Sequence, residues 1–440
     1  MLSVFTRAFS TPELRNKLLL TLGILVLFRI GSSIPTPNVD YSAVQQCIAG
    51  ARDDSGSSFL GMANLFSGGA LLQLSVFALG IMPYITASII VQLLTVVIPH
   101  FEQLKKEGQQ GQAKMTQYTR YLTIGLAVLQ SSTFITFARN PAQLFANAEC
   151  GPIIYREGIF DIGLMVLTMT AGTGLIMWLG ELITDKGVGN GMSLLIFTSI
   201  VATFPSSLWA IQQRDGRWDI FFIVIAIGLL ITTAVVFVEQ SQRRVPVQYA
   251  KRMVGRRMYG GTSTYIPIKV NMANVIPVIF ASSMLALPQM VAQFQTDPQG
   301  NSPAWVQWVQ TYLVQGDNPI YMAVYTALII FFTFFYVSIT FNPTDVADNM
   351  KKYGGFIPGI RAGRPTAEYL RYVLTRITVP GSIYLAVVSL IPLIAFVLVG
   401  ANQNFPFGGA SIIIMVGVGL ETVKQIESQL QQRHYEGFLR

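Results

Sequence analysis

This sequence contains few residues of the types that most often bind metals or act in catalysis. The chain has two cysteines, Cys47 and Cys150, and two histidines, His100 and His434. Two cysteines are too few for a disulfide scaffold, a multi-cysteine zinc site or an iron–sulfur cluster. The histidines lie too far apart for a local metal motif, so we expect no metal and no cofactor. Both cysteines fall in segments assigned below to the outside, where oxidation is permitted. The sequence leaves open whether they pair.

One glycine-rich stretch, GVGNG at 187–191, could either cradle a phosphate or form the start of a helix. No strand pattern precedes it, whereas glycine and asparagine suit a helix terminus. The sequence also lacks a GxxxxGK[ST] loop and an HExxH motif. We therefore predict a chain without its own nucleotide site, and not an enzyme.

The composition indicates a membrane protein. Of the 440 residues, 52% are apolar and 12% are charged, against about 25% charged in ordinary soluble proteins. Crossing the hydrocarbon core takes about 20 mostly apolar residues. Ten stretches qualify as candidate spans: 18–34, 71–98, 121–138, 160–183, 189–211, 219–238, 272–291, 320–341, 377–400 and 410–427.

The distribution of charge gives the orientation. Ten crossings put both termini on one side of the membrane. If that side is the cytoplasm, 24 of the 30 Lys and Arg residues lie inside and six lie outside. This excess follows the positive-inside rule, so we predict cytoplasmic termini.

The second span has an unusual beginning. The apolar stretch from Phe59 to Ile98 covers 40 residues, or about 60 Å as one helix, twice the hydrocarbon thickness. Ser67, Gly68 and Gly69 interrupt it. Residues 59–66 are too short to cross the membrane, so they either dip in from outside as a short helix or lie along the surface. The residues alone do not decide between the two.

Two cytoplasmic segments, 239–271 and 342–376, are long and basic. The first has β-branched and aromatic residues around a glycine-containing middle, which predicts an extended hairpin. The positive charges could serve orientation alone. They exceed what orientation needs, so a docking surface for an acidic partner or for RNA phosphate is an equal alternative.

The predicted spans contain few charges. Arg29 and Glu181 lie near the ends of spans one and four, where we expect them to be interfacial. Ion-coupled carriers usually place ionisable groups at membrane depth. Their absence disfavours a carrier of that kind but leaves a solute facilitator open.

Four long strings carry a family resemblance. They are NLFSGGALLQLSVFALGIMPYITASIIVQLL (64–94), GVGNGMSLLIF (187–197), YAKRMVGRRMYGGTSTYIPIKVNMANVIPVIFASSML (249–285) and FNPTDVADNMKKYGGFIPGIRAGRPTAEYL (341–370). They closely resemble the SecY family, the central subunits of bacterial Sec translocons. The resemblance implies a protein-conducting channel of the bacterial cytoplasmic membrane. Such a channel passes unfolded secretory polypeptides across and releases membrane-protein segments sideways into lipid.

The resemblance also implies an architecture. It is an all-α membrane protein with ten helices in two pseudo-symmetric halves of five, 1–211 and 212–440, arranged like a clamshell. A short re-entrant plug helix at 60–69 blocks the closed pore and favours the dipping alternative above. Its residues are Leu60, Gly61, Met62, Ala63, Asn64, Leu65, Phe66, Ser67, Gly68 and Gly69.

Motif by motif, the resemblance selects an apolar pore ring and a lateral gate. The ring residues are Ile81, Ile85, Met192, Ile196, Ile279 and Ile414. Two pairs have i, i+4 spacing, which puts each pair on one helix face. Met192 replaces an expected β-branched aliphatic, and its thioether should still seal.

The gate lies between spans two and three on one side and seven and eight on the other. Its matching or lining residues are Thr86, Gln92, Ser282, Ser283 and Leu287.

The resemblance gives the basic segments partners. It implies docking of the SecA motor ATPase or the ribosome, which supply the energy, and bracing by the small subunits SecE and SecG. Signal peptides, nascent chains and membrane lipid are the other partners. The docking candidates are Arg243, Arg244, Lys251, Arg252, Arg256, Arg257 and Arg361. The alternatives are a ten-span solute facilitator, which would need a polar central pocket, and a non-transporting scaffold.

Overall fold

The computed structural model describes residues 9–50, 64, 67–139, 151–215, 218–249, 252–254, 257–259, 263–294, 303–314, 318–399 and 409–437. Helices make up most of this part. In chain order they are α1 (Pro12–Ser33), α2 (Tyr41–Gly50), α3 (Met82–Val97), α4 (Pro99–Lys106), α5 (Gln109–Arg139), α6 (Ile159–Lys186), α7 (Gly191–Asp215), α8 (Trp218–Gln240), α9 (Ile276–Phe294), α10 (Ala304–Val309, continued by a π-helical turn Gln310–Val314), α11 (Pro319–Thr340), α12 (Pro343–Lys352), α13 (Arg364–Val399) and α14 (Gly409–Gly437).

Each of the ten predicted spans coincides with all or part of one of these helices: α1, α3, α5, α6, α7, α8, α9, α11, α13 and α14. Within the described residues, three helical stretches are long and apolar enough by themselves to cross a membrane. They are Ile159–Lys186, Pro319–Lys352 and Arg364–Ile391. A fourth is added if α3 and α4, which meet at a bend of 100°, count as one span. The predicted boundary at 211/212 falls inside α7.

Proline and asparagine define several helix starts. Proline occupies the first turn of α1, α3, α4, α11 and α12, where its missing N–H is not needed. Asn318 and Asn342 cap α11 and α12, because each side chain accepts a hydrogen bond from a backbone N–H of the first turn. Pro83 and Pro277 lie at the beginnings of α3 and α9.

The prediction of one helix over 71–98 is wrong for its first part, because residues 67–81 run in successive tight turns and α3 begins only at Met82. Gly68, Gly69, Leu74 and Gly80 all have positive φ, which a right-handed helix cannot accommodate.

This turn segment, 67–81, packs against the end of α1 and the residues that follow it. Its backbone is hydrogen-bonded there, Val76 to Ile34 at 2.9 Å and Thr36 to Leu74 at 3.0 Å. The Phe77 ring lies directly over Gly31 and occupies the space that a Cβ atom at position 31 would need. Irregular backbone at this depth is therefore enclosed by protein, as membrane proteins require.

The hairpin prediction for 239–271 is confirmed. Strand β1 (Gln242–Tyr249) pairs antiparallel with β4 (Ser263–Lys269), in a register that runs from Gln242 opposite Lys269 to Gln248 opposite Ser263. Between them lie β2 (Arg252–Val254) and β3 (Arg257–Tyr259), which pair with each other. Strand β5 (Gly355–Phe356) adds to the free edge of β1. The two basic segments therefore share one sheet, which the sequence did not predict.

The largest apolar cluster joins nine helices from both sides of the predicted division. They are α1, α3, α6, α7, α8, α9, α11, α13 and α14. A smaller cluster under the hairpin contains Val245, Val247 and Ile268 of the strands, with Leu370 and Leu374 of α13. The sheet is thus packed onto the helices and not suspended from them.

Candidate functional site

All six residues of the predicted ring belong to, or pack against, the largest apolar cluster of the described residues. Ile81, Ile196, Ile279 and Ile414 are at most 7% exposed and belong to the largest apolar cluster. Ile85 and Met192 are half-buried and pack against the same cluster. These side chains come from four separate places in the chain: the start of α3, the start of α7, the first turn of α9 and the first part of α14. Their surroundings are apolar, so they can seal a passage, but they offer no group for catalysis.

Local structure orients several of these residues. The amide of Ile85 donates to the carbonyl of Ile81 at 3.1 Å, which places the pair one helical turn apart. Met192 follows Asn190, whose side chain accepts from the Met192 amide at 3.1 Å and caps α7. The Met192 sulfur lies in the space left by Gly180, where a Cβ atom would be 2.5 Å away. A residue larger than glycine at position 180 would displace Met192.

The helix-terminus interpretation of GVGNG is confirmed by these contacts. The Asn190 carboxamide oxygen faces the first turn of α7, 3.1 Å from the Met192 amide and 3.4 Å from the Ser193 amide. The amide of Val188 donates to the hydroxyl of Thr21 in α1 at 3.2 Å. The amides of Val188, Met192 and Ser193 therefore all have protein partners.

Part of the predicted plug can be described. Leu60, Gly61, Met62, Ala63, Leu65 and Phe66 lie outside the described residues. Asn64, Ser67, Gly68 and Gly69 form a closed turn. The amide of Gly69 donates to the carbonyl of Asn64 at 2.9 Å, and the amide of Leu71 donates to the Ser67 hydroxyl at 3.1 Å. The Asn64 carboxamide accepts from the Leu72 amide at 3.3 Å.

Arg29 is a functional candidate that the sequence analysis missed. Its Nη1 donates to the carbonyl of Gly68 at 2.7 Å, and so links α1 to the end of the predicted plug. The signal available in the sequence was a cation late in an apolar run. Its partner is the backbone carbonyl of Gly68, 39 residues away. Every residue has such a carbonyl, so the sequence does not indicate this contact.

The predicted gate residues lie on two helices that touch each other, α3 and α9. Thr86 donates to the carbonyl of Met82 at 3.0 Å, and Ser282 donates to the carbonyl of Ile279 at 2.9 Å, so both hydroxyls are satisfied within their own helices. Gln92 is half-buried on α3. The Ser283 hydroxyl is buried and has no hydrogen-bond partner among the described residues. The side chain of Leu287 lies outside the described part of the chain.

A hydrogen bond also joins α4 to α11. The Lys105 ammonium of α4 donates to the carbonyl of Ile339, in the last turn of α11, at 3.5 Å. Carbonyls at a helix C-terminus carry partial negative charge, so a cation there is favourable. From the sequence alone, Lys105 is only one of the 24 positive charges expected on the cytoplasmic side.

The candidate docking residues differ in how far they are described. Arg243 and Arg244 are exposed on β1, and the Arg244 guanidinium lies 4.8 Å from the centre of the Tyr265 ring. Arg361 is exposed in the loop after β5, and its backbone carbonyl accepts from the Thr366 hydroxyl at 2.8 Å. Lys251 and Arg256 lie outside the described residues. Arg252 and Arg257 belong to β2 and β3, with side chains that are likewise not described.

The base of the hairpin is held by hydrogen bonds that the sequence analysis missed. The Asn271 side chain, just before α9, donates to the buried Glu239 carboxylate near the end of α8 at 2.7 Å. The amide of Val270 donates to the carbonyl of Ser241 at 3.1 Å. These bonds hold the base of the hairpin together between the end of α8 and the start of α9.

On the opposite side, α2 is anchored to the segment before α6. The amide of Asp40 donates to the carbonyl of Ile153 at 2.8 Å. Bonds from the Ser42 hydroxyl and the Ala43 amide hold the pKa of the Asp40 carboxyl below its usual value. Cys47 in α2 is buried and disulfide-bonded, while Cys150, the other cysteine of the sequence, lies outside the described residues.

Comparison with known proteins identifies the family. A family model described as SecY matches residues 75–423. A protein translocase subunit SecY from Streptomyces scabiei is 64% identical, with complete coverage of both chains. One from Mycobacterium bovis is 57% identical, again over the whole of both chains.

Solved structures show the same fold. One described as a protein conducting channel superposes with a TM-score of 0.60 at 19% identity, covering 94% of this chain and 91% of that one. Sec61 in a canine ribosome–channel complex gives a TM-score of 0.57 at 19% identity with the same coverages. The family model covers well over half of the sequence and the relatives match it from end to end. The chain belongs to the SecY family.

Proposed function

We propose that this chain is the channel subunit of a bacterial Sec translocon. It conducts unfolded secretory polypeptides across the cytoplasmic membrane and releases apolar segments sideways into lipid. Membership of the SecY family supports a protein-conducting channel in a multi-pass membrane protein. The observation that supports the mechanism is that six apolar side chains from four places in the chain belong to, or pack against, one apolar cluster.

The proposed constriction is the ring of Ile81, Ile85, Met192, Ile196, Ile279 and Ile414. A narrow apolar constriction disfavours water and ions, so it dewets and maintains the permeability barrier. Around an extended polypeptide the same side chains change rotamer and close as a gasket. Met192 suits this role, because an unbranched thioether fills irregular gaps.

The proposed architecture has ten spans in two halves with both termini in the cytoplasm. The plug, residues 60–69, closes the channel from outside. The lateral gate lies where α3 meets α9, and its polar residues are Thr86, Gln92, Ser282 and Ser283. Support for the gate comes from the contact between these two helices and from Lys105, which links α4 to the end of α11.

The proposed docking surface is the sheet formed by β1, β4 and β5 with the loop that carries Arg361. Arg243, Arg244 and Arg361 are exposed there, and Lys251, Arg252, Arg256 and Arg257 extend the same basic segment. Guanidinium groups bind carboxylates and phosphates through paired hydrogen bonds. We assign the surface to SecA or the ribosome, which provide the driving force, and SecE and SecG brace the two halves.

Reconstitution tests this function against the solute facilitator. The chain is placed in vesicles with its partner subunits, SecA, ATP and a radiolabelled precursor, and protection of the precursor from external protease is measured. We expect signal-dependent protection. A chain that protects no precursor in the complete system, yet equilibrates small solutes across the vesicle membrane, would contradict the proposal.

A further inference from the structure

The segment that connects α9 to α11 presents three different faces. Residues 303–314 contain no charged side chain and form α10 with its π-helical turn. Side chains three or four positions apart fall on one side of a helix, so the segment sorts into three rows. They are a buried row (Val306, Val309 and Leu313), an aromatic row (Trp305, Trp308 and Tyr312) and a polar row (Ala304, Gln307 and Thr311).

The buried row holds the segment on α9, and an asparagine holds it on α11. Val306 and Val309 are almost fully buried and belong to one apolar cluster with Ala292 of α9. Asn318 Nδ2 donates to the carbonyl of Thr311 at 3.1 Å, while the oxygen of the same side chain caps α11. The segment therefore has a fixed orientation relative to the two helices that it connects.

The aromatic row stays exposed in this orientation. Trp305 is 43% exposed and Trp308 is 51% exposed. The Trp308 ring lies 5.5 Å from the ring of Tyr312. The next helix, α11, begins with another exposed apolar residue, Ile320. The described part of the chain thus leaves two indoles uncovered next to a predicted span.

The arrangement of the rows fits the boundary between hydrocarbon and water. An indole has a large apolar body and one N–H donor, and tryptophan and tyrosine are enriched at both membrane interfaces. In bulk water both indoles would stay hydrated, whereas in the hydrocarbon core the exposed Gln307 amide would be costly to desolvate. A segment that lies along the interface satisfies the aromatic row and the polar row together.

We propose that the aromatic row of 303–314 lies in the interfacial region of the outer leaflet, with phospholipid as its binding partner. The contact sets the depth of the outer ends of α9 and α11. This inference rests on the proposed function, because the ten-span arrangement puts residues 292–319 outside. It gives a role to Trp305, Trp308 and Tyr312, which belong neither to the ring nor to the gate nor to the docking surface.

The test measures tryptophan fluorescence of the complete complex in lipid vesicles. The signal of the row is the emission of the wild type minus that of the double variant Trp305→Phe, Trp308→Phe, since all other tryptophans contribute equally to both. Vesicles are selected in which external trypsin does not cleave the basic hairpin, so that the outer side of the complex faces outward. A phospholipid with a nitroxide on its headgroup is then added to the external leaflet. We expect this lipid to remove most of the difference signal, and acrylamide in the external buffer to quench it far less than free tryptophan.

Trp178→Phe is the matched control. Trp178 is 56% exposed but lies about two turns before the cytoplasmic end of α6. Its difference signal should be insensitive to nitroxide lipid in the external leaflet and should fall once the labelled lipid occupies both leaflets.

Quenching of the row by acrylamide but not by nitroxide lipid would mean that the row faces water. Protection from both quenchers would mean that another protein chain covers it, and either result overturns the inference. The single variants Trp305→Phe and Trp308→Phe each give their own difference signal, so the test stays decisive if the double variant does not assemble. Failure of the ten-span arrangement gives a different result: the row is then quenched only by nitroxide lipid on the same side as the hairpin, or Trp178 is quenched from the external leaflet.

Discussion

Arg120 and Glu181 join two neighbouring helices, α5 and α6, through a two-point ion pair. Arg120 Nε donates to Glu181 Oε1 at 2.9 Å, and Nη2 donates to Oε2 at 2.7 Å. The sequence analysis placed Glu181 at the membrane interface without a partner. The planar guanidinium group of arginine can bond both oxygens of a carboxylate at once. A lysine at position 120 could not reproduce this two-point contact.

We predict that Glu181→Gln lowers the free energy of unfolding by about 1 kcal/mol. The value is that of a solvent-screened pair, because the Arg120 side chain is 41% exposed. Thermal denaturation of the purified complex in detergent measures the change. Glu368→Gln is the matched control, since its pair with Arg364 is far more exposed and should contribute almost nothing. Equal melting temperatures for the two variants would contradict the prediction.

Ile414→Thr should make the resting channel leak. In the closed state the new hydroxyl is buried in an apolar cluster, and burying such a group without a good partner costs about 1–3 kcal/mol. We expect the open or wetted population to rise about tenfold or more, measured as resting conductance in a planar bilayer.

Ile383→Thr makes the same chemical change on α13, where Ile383 is 52% exposed, and should leave the conductance unchanged. If both threonine variants leak equally, the ring assignment loses its support, since the effect would then come from any polar group in the helices.

Arg361, an exposed arginine of the second basic segment, should be important for partner binding. Arg361 has no side-chain partner among the described residues, whereas its neighbour Arg364 is paired with Glu368 at 3.1 Å. We predict that Arg361→Ala weakens binding of SecA or of the ribosome about tenfold, the loss expected for one charge-assisted contact. The melting temperature should stay unchanged. Sedimentation of the partner with channel-containing vesicles gives the affinity.

Arg364→Ala is the control for that measurement and should bind within about twofold of wild type, because a paired surface arginine contributes little. The reverse order, with Arg364→Ala the weaker binder, would move the docking surface away from the loop that carries Arg361.

Charge reversal at Lys105 should loosen the contact between α4 and α11 beside the proposed lateral gate. The ammonium group faces the Ile339 carbonyl at the end of α11, so Lys105→Glu places a negative charge against the negative end of the helix dipole. The change disfavours the closed gate by about 1–2 kcal/mol, from the lost and reversed dipole interaction. We expect marginally apolar test segments to enter lipid more often, measured by a glycosylation or protease reporter.

Lys114→Glu alters a lysine of α5 whose contact with Glu107 at 3.6 Å lies on the exposed surface. It serves as the control and should leave the distribution of test segments unchanged. An identical shift in both variants would mean that the net charge of the cytoplasmic face, and not the contact with α11, governs release.

The features predicted correctly from the sequence are those determined by residues that are close together in the chain. Long apolar runs coincide with helices, because backbone groups in lipid must be satisfied within the segment. The hairpin was predictable from β-branched residues around glycine, and Val245 and Val247 alternate with exposed neighbours on β1 as that pattern requires. The role of Asn190 followed from its position before a helix.

The features that the sequence analysis missed depend on contacts between distant segments. Leu74 has φ of 46°, a conformation that nothing about leucine indicates, so the turns of 67–81 could not be separated from α3. Strand β5 has two residues, too few for a periodic pattern. The Arg29 bond goes to a carbonyl, which every residue possesses. The choice of the six ring residues rested on family resemblance, because apolar i, i+4 pairs occur on any lipid-facing helix.

The most direct test of the channel is a photo-cross-link to a chain in transit. A photoreactive amino acid is placed at Ile414, or at Ile81, in the complete complex, and a secretory precursor is stalled midway. We predict a cross-link from both positions to the middle of the stalled chain, and none from Ile383, which faces outward. The absence of a cross-link at Ile414 and Ile81, with the precursor engaged and partly protected, would contradict the central claim that polypeptide passes through this ring.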